Sequence, residues 1–222
     1  MKNKIETLIF DVNETLLDLE PLKKSIDEAL GNDHASQVWF AELLQYSLVE
    51  SLTDSYHDFS ELASAIFKMN AKKYHKDFSD NEIKKILSPI NKLEPYPDVV
   101  PGLKQLKNSG FQLVAFSNGK PSVLKEQLEF ARLSEYFDKI LSIDSIKKYK
   151  PHSASYKYAL KEANSNSENS MMVAAHGWDI TGAMRAGLQT AFIQRPGKFV
   201  FPLSEKPTIE TTTIQSLADK LD

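Results

Sequence analysis

Five short apolar runs, each rich in β-branched or aromatic residues, punctuate the chain: "TLIFDV" (7–12), "FQLVAFS" (111–117), "FDKILSI" (137–143), "SMMVAA" (170–175) and "QTAFIQ" (189–194). Their near-continuous hydrophobicity, without strict alternation, predicts strands buried on both faces. Between most of them the apolar positions recur every three or four residues, as in "DVVPGLKQLKNSG" (98–110), "KPSVLKEQLEFARL" (120–133) and "ASYKYALKEAN" (154–164). Strands alternating with amphipathic helices predict an α/β fold with a parallel sheet covered on both sides. Gly110 and Gly187 are placed as helix stops, and "TIQSLADKLD" predicts a terminal helix.

Residues 16–95 break this alternation. They hold no strand pattern but four helix patterns: "PLKKSIDEALG", "ASQVWFAELLQYSLVESL", "DFSELASAIFKMNAKKY" and "SDNEIKKILSPI". Asp58 with Glu61, and Ser79 with Glu82, have the spacing of capping boxes. The proline-rich "LEPYPDVVPGL" then returns the chain to the α/β pattern. The expected organisation is a core of residues 1–15 and 96–222, with 16–95 inserted after the first strand as a helical cap over the strand ends.

Composition narrows the function classes. A formal charge of −3 over 222 residues gives no basic stripe for nucleic acid. The chain has no cysteine, which excludes disulfides, thiol nucleophiles and thiolate metal sites. No signal-peptide core and no membrane-length apolar stretch are present, so the expected location is cytoplasmic, with no membrane partner. His34, His57, His75 and His152 have no partner at metal-ligand spacing and read as surface residues. The lysine pairs at 23–24, 72–73, 84–85 and 147–148 read as solvated faces, leaving Lys150 as the lysine of interest.

In an open parallel sheet, ligands bind outside the carboxyl ends of the strands. Here those ends carry Asp11, then Ser117 and Asn118, then Lys150 beyond the third strand, then His176 and Asp179 in "AAHGWD". An aspartate after a strand is ordinarily a helix cap. A carboxylate, a hydroxyl, an amide, an ammonium and an imidazole converging beneath an inserted cap point instead to an active site.

Together, "FDVNETLLD", "SNGKP", "YKP" and "GWDITGAMRAG" resemble the haloacid dehalogenase superfamily, in order and over the whole chain. "LVAFSNGKPSVL", "LSIDSIKKYKPHSASYKYAL" and "WDITGAMRAGLQTAFIQR" are most similar to its type II, L-2-haloacid, dehalogenases. The resemblance implies a Rossmann-like core with a helical cap, a homodimer, and no metal or other cofactor. It implies a metal-independent hydrolase of short (S)-2-haloacids, with Asp11 as nucleophile forming an aspartyl ester. Superfamily phosphatases use a second acid two residues after the nucleophile to protonate the leaving alcohol, and an acid pair four residues apart to hold Mg²⁺. Here those places hold Asn13 and Ala175. Halide leaves unprotonated and asks for neither.

The same resemblance assigns roles to further residues. Lys150 keeps Asp11 ionised and Thr15 hydrogen-bonds nearby. Ser117, Asn118 and the backbone around Val12 and Asn13 hold the substrate carboxylate or the oxyanion, and Tyr156 is the family's tyrosine on the substrate side. Trp39, Phe40, Phe59 and Trp178 form an apolar wall. Phe40 replaces an arginine expected to receive the halide, while Ala174 and His176 replace a serine and an asparagine. Two ways of activating the hydrolytic water stay open: Asp179, as in the family, or His176 oriented by Glu20. In the plainer reading of that pair, His176 bonds only backbone and Glu20 simply starts a helix. The alternatives to dehalogenation are a phosphatase of small substrates and a silent carboxylate-binding homologue.

Overall fold

The computed structural model describes residues 4–221. The expected core limit at residue 1 and the last residue of the expected terminal helix lie outside them. A six-stranded sheet forms the centre: β1 (Thr7–Phe10), β2 (Gln112–Ser117), β3 (Lys139–Ser142), β4 (Ser170–Ala174), β5 (Gln189–Ile193) and β6 (Ile209–Thr211). The order is β3-β2-β1-β4-β5-β6 and every pair is parallel. The expected α/β class is therefore observed. The sixth strand, "IET", is an addition to the five expected ones. It is a three-residue edge strand without a fully buried position, so it carries no apolar run to announce it.

The chain runs outward from β1 through β2 to β3, then returns to place β4 on the other side of β1. That reversal makes the carboxyl end of β1 the switch point of the sheet, where a crevice opens. Helices α5 (Val99–Asn108), α6 (Pro121–Phe130), α7 (Ser153–Glu162), α8 (Gly177–Arg185) and α9 (Ile214–Leu221) connect or follow the later strands.

The segment between β1 and α5 holds α1 (Glu20–Leu30), α2 (Ala35–Leu52), α3 (Phe59–Lys73) and α4 (Asp80–Leu87), which pack on one another. Both capping boxes form. Asp58 accepts from the Ser60 and Glu61 backbone while Glu61 reaches back, and Ser79 and Glu82 do the same. The chain leaves and re-enters the sheet region at one place, where the backbone of Asp18 donates to Glu94 and that of Tyr96 to Leu16. The helices touch the strand side through Lys120–Asp58 (3.0 Å), Tyr56–Asp144 (2.5 Å) and the Tyr149 hydroxyl on the His57 carbonyl (2.6 Å). No helix of the described residues is long and apolar enough to cross a membrane.

Candidate active site

Asp11 follows β1 directly, and its carboxylate is 8% exposed. One oxygen, Oδ1, receives the Lys150 ammonium at 2.9 Å. The other, Oδ2, receives the Thr15 hydroxyl at 2.8 Å and stands 3.1 Å from His176 Nδ1. Burial alone would push the Asp11 pKa up, but Lys150 and His176 outweigh it and hold the carboxyl well below its ordinary range. The group is thus an ionised carboxylate in a dry place.

Lys150 is fully buried. Its ammonium also meets Asp179 at 2.7 Å and the Phe116 carbonyl at 3.2 Å, so it bridges the two aspartates. Desolvation opposes its charge, but Asp11 and Asp179 raise its pKa on balance. Asn118 accepts from the Lys150 backbone N–H at 2.9 Å, and Ser117 accepts from Gly119 at 2.9 Å. Asn118, expected on the substrate, also fixes the Lys150 main chain.

Tyr156, also expected on the substrate, is buried completely, and its hydroxyl donates to Asp179 Oδ1 at 2.6 Å. It orients Asp179 from below, because α7 and α8 pack unusually close. A Cβ at Gly182 would lie 2.3 Å from Pro151 Cβ and 2.6 Å from the Tyr156 oxygen. Both Asp179 oxygens are engaged, one by Tyr156 and one by Lys150.

His176 sits at the N-cap of α8, yet its side chain makes no cap bond. The ring turns toward the β1 end, with Nδ1 on Asp11 and Nε2 on Glu14 Oε2 at 2.9 Å. The expected partner was Glu20. That residue is exposed at the start of α1, where its backbone N–H donates to Asp18, as a helix-starting residue would. Glu14 takes the place because its backbone is left-handed (φ 59°), which folds the side chain back under the β1 end. A non-glycine residue in that region is costly and marks sites where surrounding contacts over-determine the chain.

Those contacts are the His176 ring and two ammonium groups. Besides His176, Lys23 of α1 meets Glu14 Oε1 at 2.5 Å, and Lys198 of the β5–β6 loop meets Oε2 at 2.5 Å. Burial would raise the Glu14 pKa, but His176 and Lys198 pull it well below the carboxylate range. Lys23, expected on a solvated face, is instead tied to a buried acid. Lys198 gets there because its loop lies hard on Gly177, where a Cβ would meet the Phe199 carbonyl at 2.5 Å. Glu14 and Lys198 carry no motif that sequence reading could have used. Arg195 is a further unforeseen residue. It clamps Asp98 at 2.6 and 3.1 Å and donates twice to the Thr15 carbonyl, holding the turn that carries Thr15.

Beside this cluster lies a cavity of about 720 Å³, lined among others by Asn13, Trp39, Phe40, Phe59 and Gln127. The expected wall of Trp39, Phe40 and Phe59 is assembled there. Trp178 is not part of it: its ring stacks on His176 at 5.2 Å and lines a separate outer cavity. Phe40 lies 5.9 Å from the His176 ring and carries the Lys198 ammonium 5.8 Å over its face. Asn13 turns its amide oxygen to Gln127 Nε2 (2.9 Å), and Val12 is buried with its carbonyl closing the turn to Thr15, Leu16 and Leu17. His34, His57, His75 and His152 are exposed.

The profile of the haloacid dehalogenase-like hydrolases matches residues 8–193. The chain belongs to this family. An (S)-2-haloacid dehalogenase of Pseudomonas sp. strain CBS-3 is 30% identical over 196 residues, covering 87% of this chain and 86% of that protein. (S)-2-haloacid dehalogenase 4A of Burkholderia cepacia is 29% identical over 199 residues, covering 89% and 86%. The L-2-haloacid dehalogenase of Xanthobacter autotrophicus, solved with chloropropionic acid covalently bound, superposes with a TM-score of 0.90 over 97% of each chain at 21% identity. As a haloacid dehalogenase-like hydrolase, the chain places Asp11, Lys150 and Asp179 together at the switch point. It adds a His176–Glu14 pair beside them.

Proposed function

We propose that the protein hydrolyses short (S)-2-haloacids to (R)-2-hydroxyacids, through an ester on Asp11 and without a metal ion. One observation carries this reading. A buried, ionised carboxylate stands at the switch point beside an apolar cavity, while the neighbouring side chain, Asn13, is held by Gln127. Attack on carbon asks for such a nucleophile and for no proton donor.

Asp11 Oδ1 or Oδ2 attacks the α-carbon, the carbon–halogen bond breaks, and the centre inverts. The Ser117 hydroxyl and the N–H groups following Asp11 receive the substrate carboxylate. The helices of residues 16–95 act as a cap whose Trp39, Phe40 and Phe59 keep water away during this step. Water then adds to the Asp11 carbonyl carbon. His176 is the better placed base, since its Nδ1 loses its Asp11 partner once the ester forms, while both Asp179 oxygens stay engaged by Lys150 and Tyr156. Where a phosphatase would hold its cation on an acid pair, Ala175 stands in one place and the Asp179 carboxylate in the other is already engaged by Lys150 and Tyr156, which supports metal independence.

The test is halide release from (S)-2-chloropropionate and (S)-2-bromopropionate in EDTA, with Asp11→Asn as control and p-nitrophenyl phosphate plus Mg²⁺ in parallel. EDTA-resistant halide release that vanishes in the variant is expected. Mg²⁺-dependent phosphate release without halide would overturn the reading, and inactivity in both assays would favour a binding protein.

A further inference from the structure

His176 is held between two carboxylates, Nδ1 on Asp11 and Nε2 on Glu14. Only the doubly protonated imidazolium donates at both ends, so the geometry selects the charged ring. A charged ring cannot accept a proton from water. The base for ester hydrolysis is therefore blocked in the resting protein and has to be released later in the cycle.

The two carboxylates are not equivalent neighbours. Asp11 is shared with Lys150, which is shared in turn with Asp179. Glu14 is shared with two further ammonium groups, Lys23 on Oε1 and Lys198 on the same oxygen that His176 uses. Around the imidazole stand Asp11 after β1, Glu14 in the next turn, Lys23 from α1 and Lys198 from the β5–β6 loop. Lys150 and Asp179 lie behind Asp11, and the uncharged rings of Phe40 and Trp178 cover the faces. Three carboxylates thus face four cations when His176 is protonated. Esterification removes the charge of Asp11 and leaves two carboxylates against four cations. The surplus of positive charge then drives a proton off the ring.

We infer that Lys23 and Lys198 are positioning residues that saturate Glu14, so that the proton on His176 depends on the charge of Asp11 and the imidazole becomes a base only after the ester has formed. This rests on the dehalogenase reading for its place in the cycle, although the coupling itself can be measured without turnover. The protons balance. His176 gives one proton to solvent when Asp11 is esterified. Water then adds to the Asp11 carbonyl carbon, passing one proton to His176. The bond between that carbon and the substrate oxygen breaks, and the departing oxygen takes the second water proton as the hydroxyacid. Asp11 regains its carboxylate, and His176 is again the imidazolium.

The experiment is a histidine-selective NMR titration of His176, with Asp11→Asn as a neutral, isosteric stand-in for the ester. Asp11→Asn should lower the His176 titration by about one pH unit or more. Adding Lys23→Met and Lys198→Met in that background should return at least half of the drop, while Lys→Arg at both positions should not. An unmoved His176 in Asp11→Asn overturns the inference, as does a lysine pair whose removal leaves the titration in place. If the triple variant does not fold, Asp11→Asn with Lys198→Met alone gives the same comparison.

In single turnovers with (S)-2-chloropropionate, the wild-type carboxyl group should release halide and free itself. The Lys23→Met/Lys198→Met variant should release halide in a burst and retain the substrate's mass on Asp11, with ester hydrolysis slowed at least about tenfold. Hydrolysis at the wild-type rate in that variant overturns the inference. Absence of halide release from the wild type removes the dehalogenase reading alone and leaves the titration to decide the coupling.

Discussion

Asp11 and its partners fill one side of the β1 end, and the cavity of Trp39, Phe40 and Phe59 opens on the other. The first side is a network of charges in which every carboxylate named above has at least two hydrogen-bonded partners. The second is a mainly apolar space of about 720 Å³ whose walls come mostly from helices. Reactivity needs a fixed electrostatic frame, because charges misplaced by an ångström lose their effect. Substrate choice needs shape, which apolar side chains supply at little electrostatic risk. On the proposed reaction the two demands fall on different parts of the chain, so changes on the two sides should have different signatures.

The largest effect is expected on the charged side. Asp11→Asn should reduce halide release by on the order of 10³-fold or more, with the folded state intact by circular dichroism. Next comes Lys150→Met, which leaves two buried aspartates without their shared cation. It should cost roughly 3–5 kcal/mol of stability by urea unfolding, along with activity.

Acidity gives a third test of the same side. Glu14 has a lowered pKa, so its stabilising contribution is present above its ordinary value of 4.5 and is lost as pH falls below it. His176 is raised above 6.5 because Asp11 and Glu14 outweigh desolvation. Its contribution is complete below 6.5 and is lost as pH rises through the folded value. Urea midpoints should therefore be highest between these limits, and Glu14→Gln should flatten both slopes.

On the cavity side the expected effects are smaller and of another kind. Phe59→Ala should move the preference toward longer haloacids by about tenfold in kcat/KM, mostly through KM, read from a chain-length series. Smallest is Lys120→Met, which removes the exposed Lys120–Asp58 pair joining the helices to the strand side. A loss within about 1 kcal/mol is expected by urea unfolding, with activity retained.

Much of this was legible beforehand, for physical reasons. Buried parallel strands must be apolar throughout, so β1 to β5 stand out, whereas the half-exposed edge strand β6 does not. Residues at strand ends are placed by topology, so Asp11, Lys150, His176 and Asp179 were found together. Glu14 was missed in favour of Glu20 because its position depends on a left-handed turn that no nearby residue pattern signals. Lys198 sits in an irregular loop whose path is set by the bare Gly177 backbone, a contact between segments far apart in sequence. Tyr156 and Asn118 were identified as important but given the substrate to hold. Their partners within the chain are Asp179 and the Lys150 main chain, an inward orientation that spacing does not encode.

Gly182 shows how far from Asp11 a loss of function can begin. It touches neither Asp11 nor the cavity of Trp39, Phe40 and Phe59, and a survey of substitutions by chemical type would rank glycine to alanine among the mildest. Yet one methyl there would occupy the space of Pro151 and the Tyr156 hydroxyl. The helix carrying Asp179 would have to back away from its neighbour. In a random-mutagenesis screen, position 182 should therefore behave like an active-site position, and inheritance of this glycine would track the spacing of two helices.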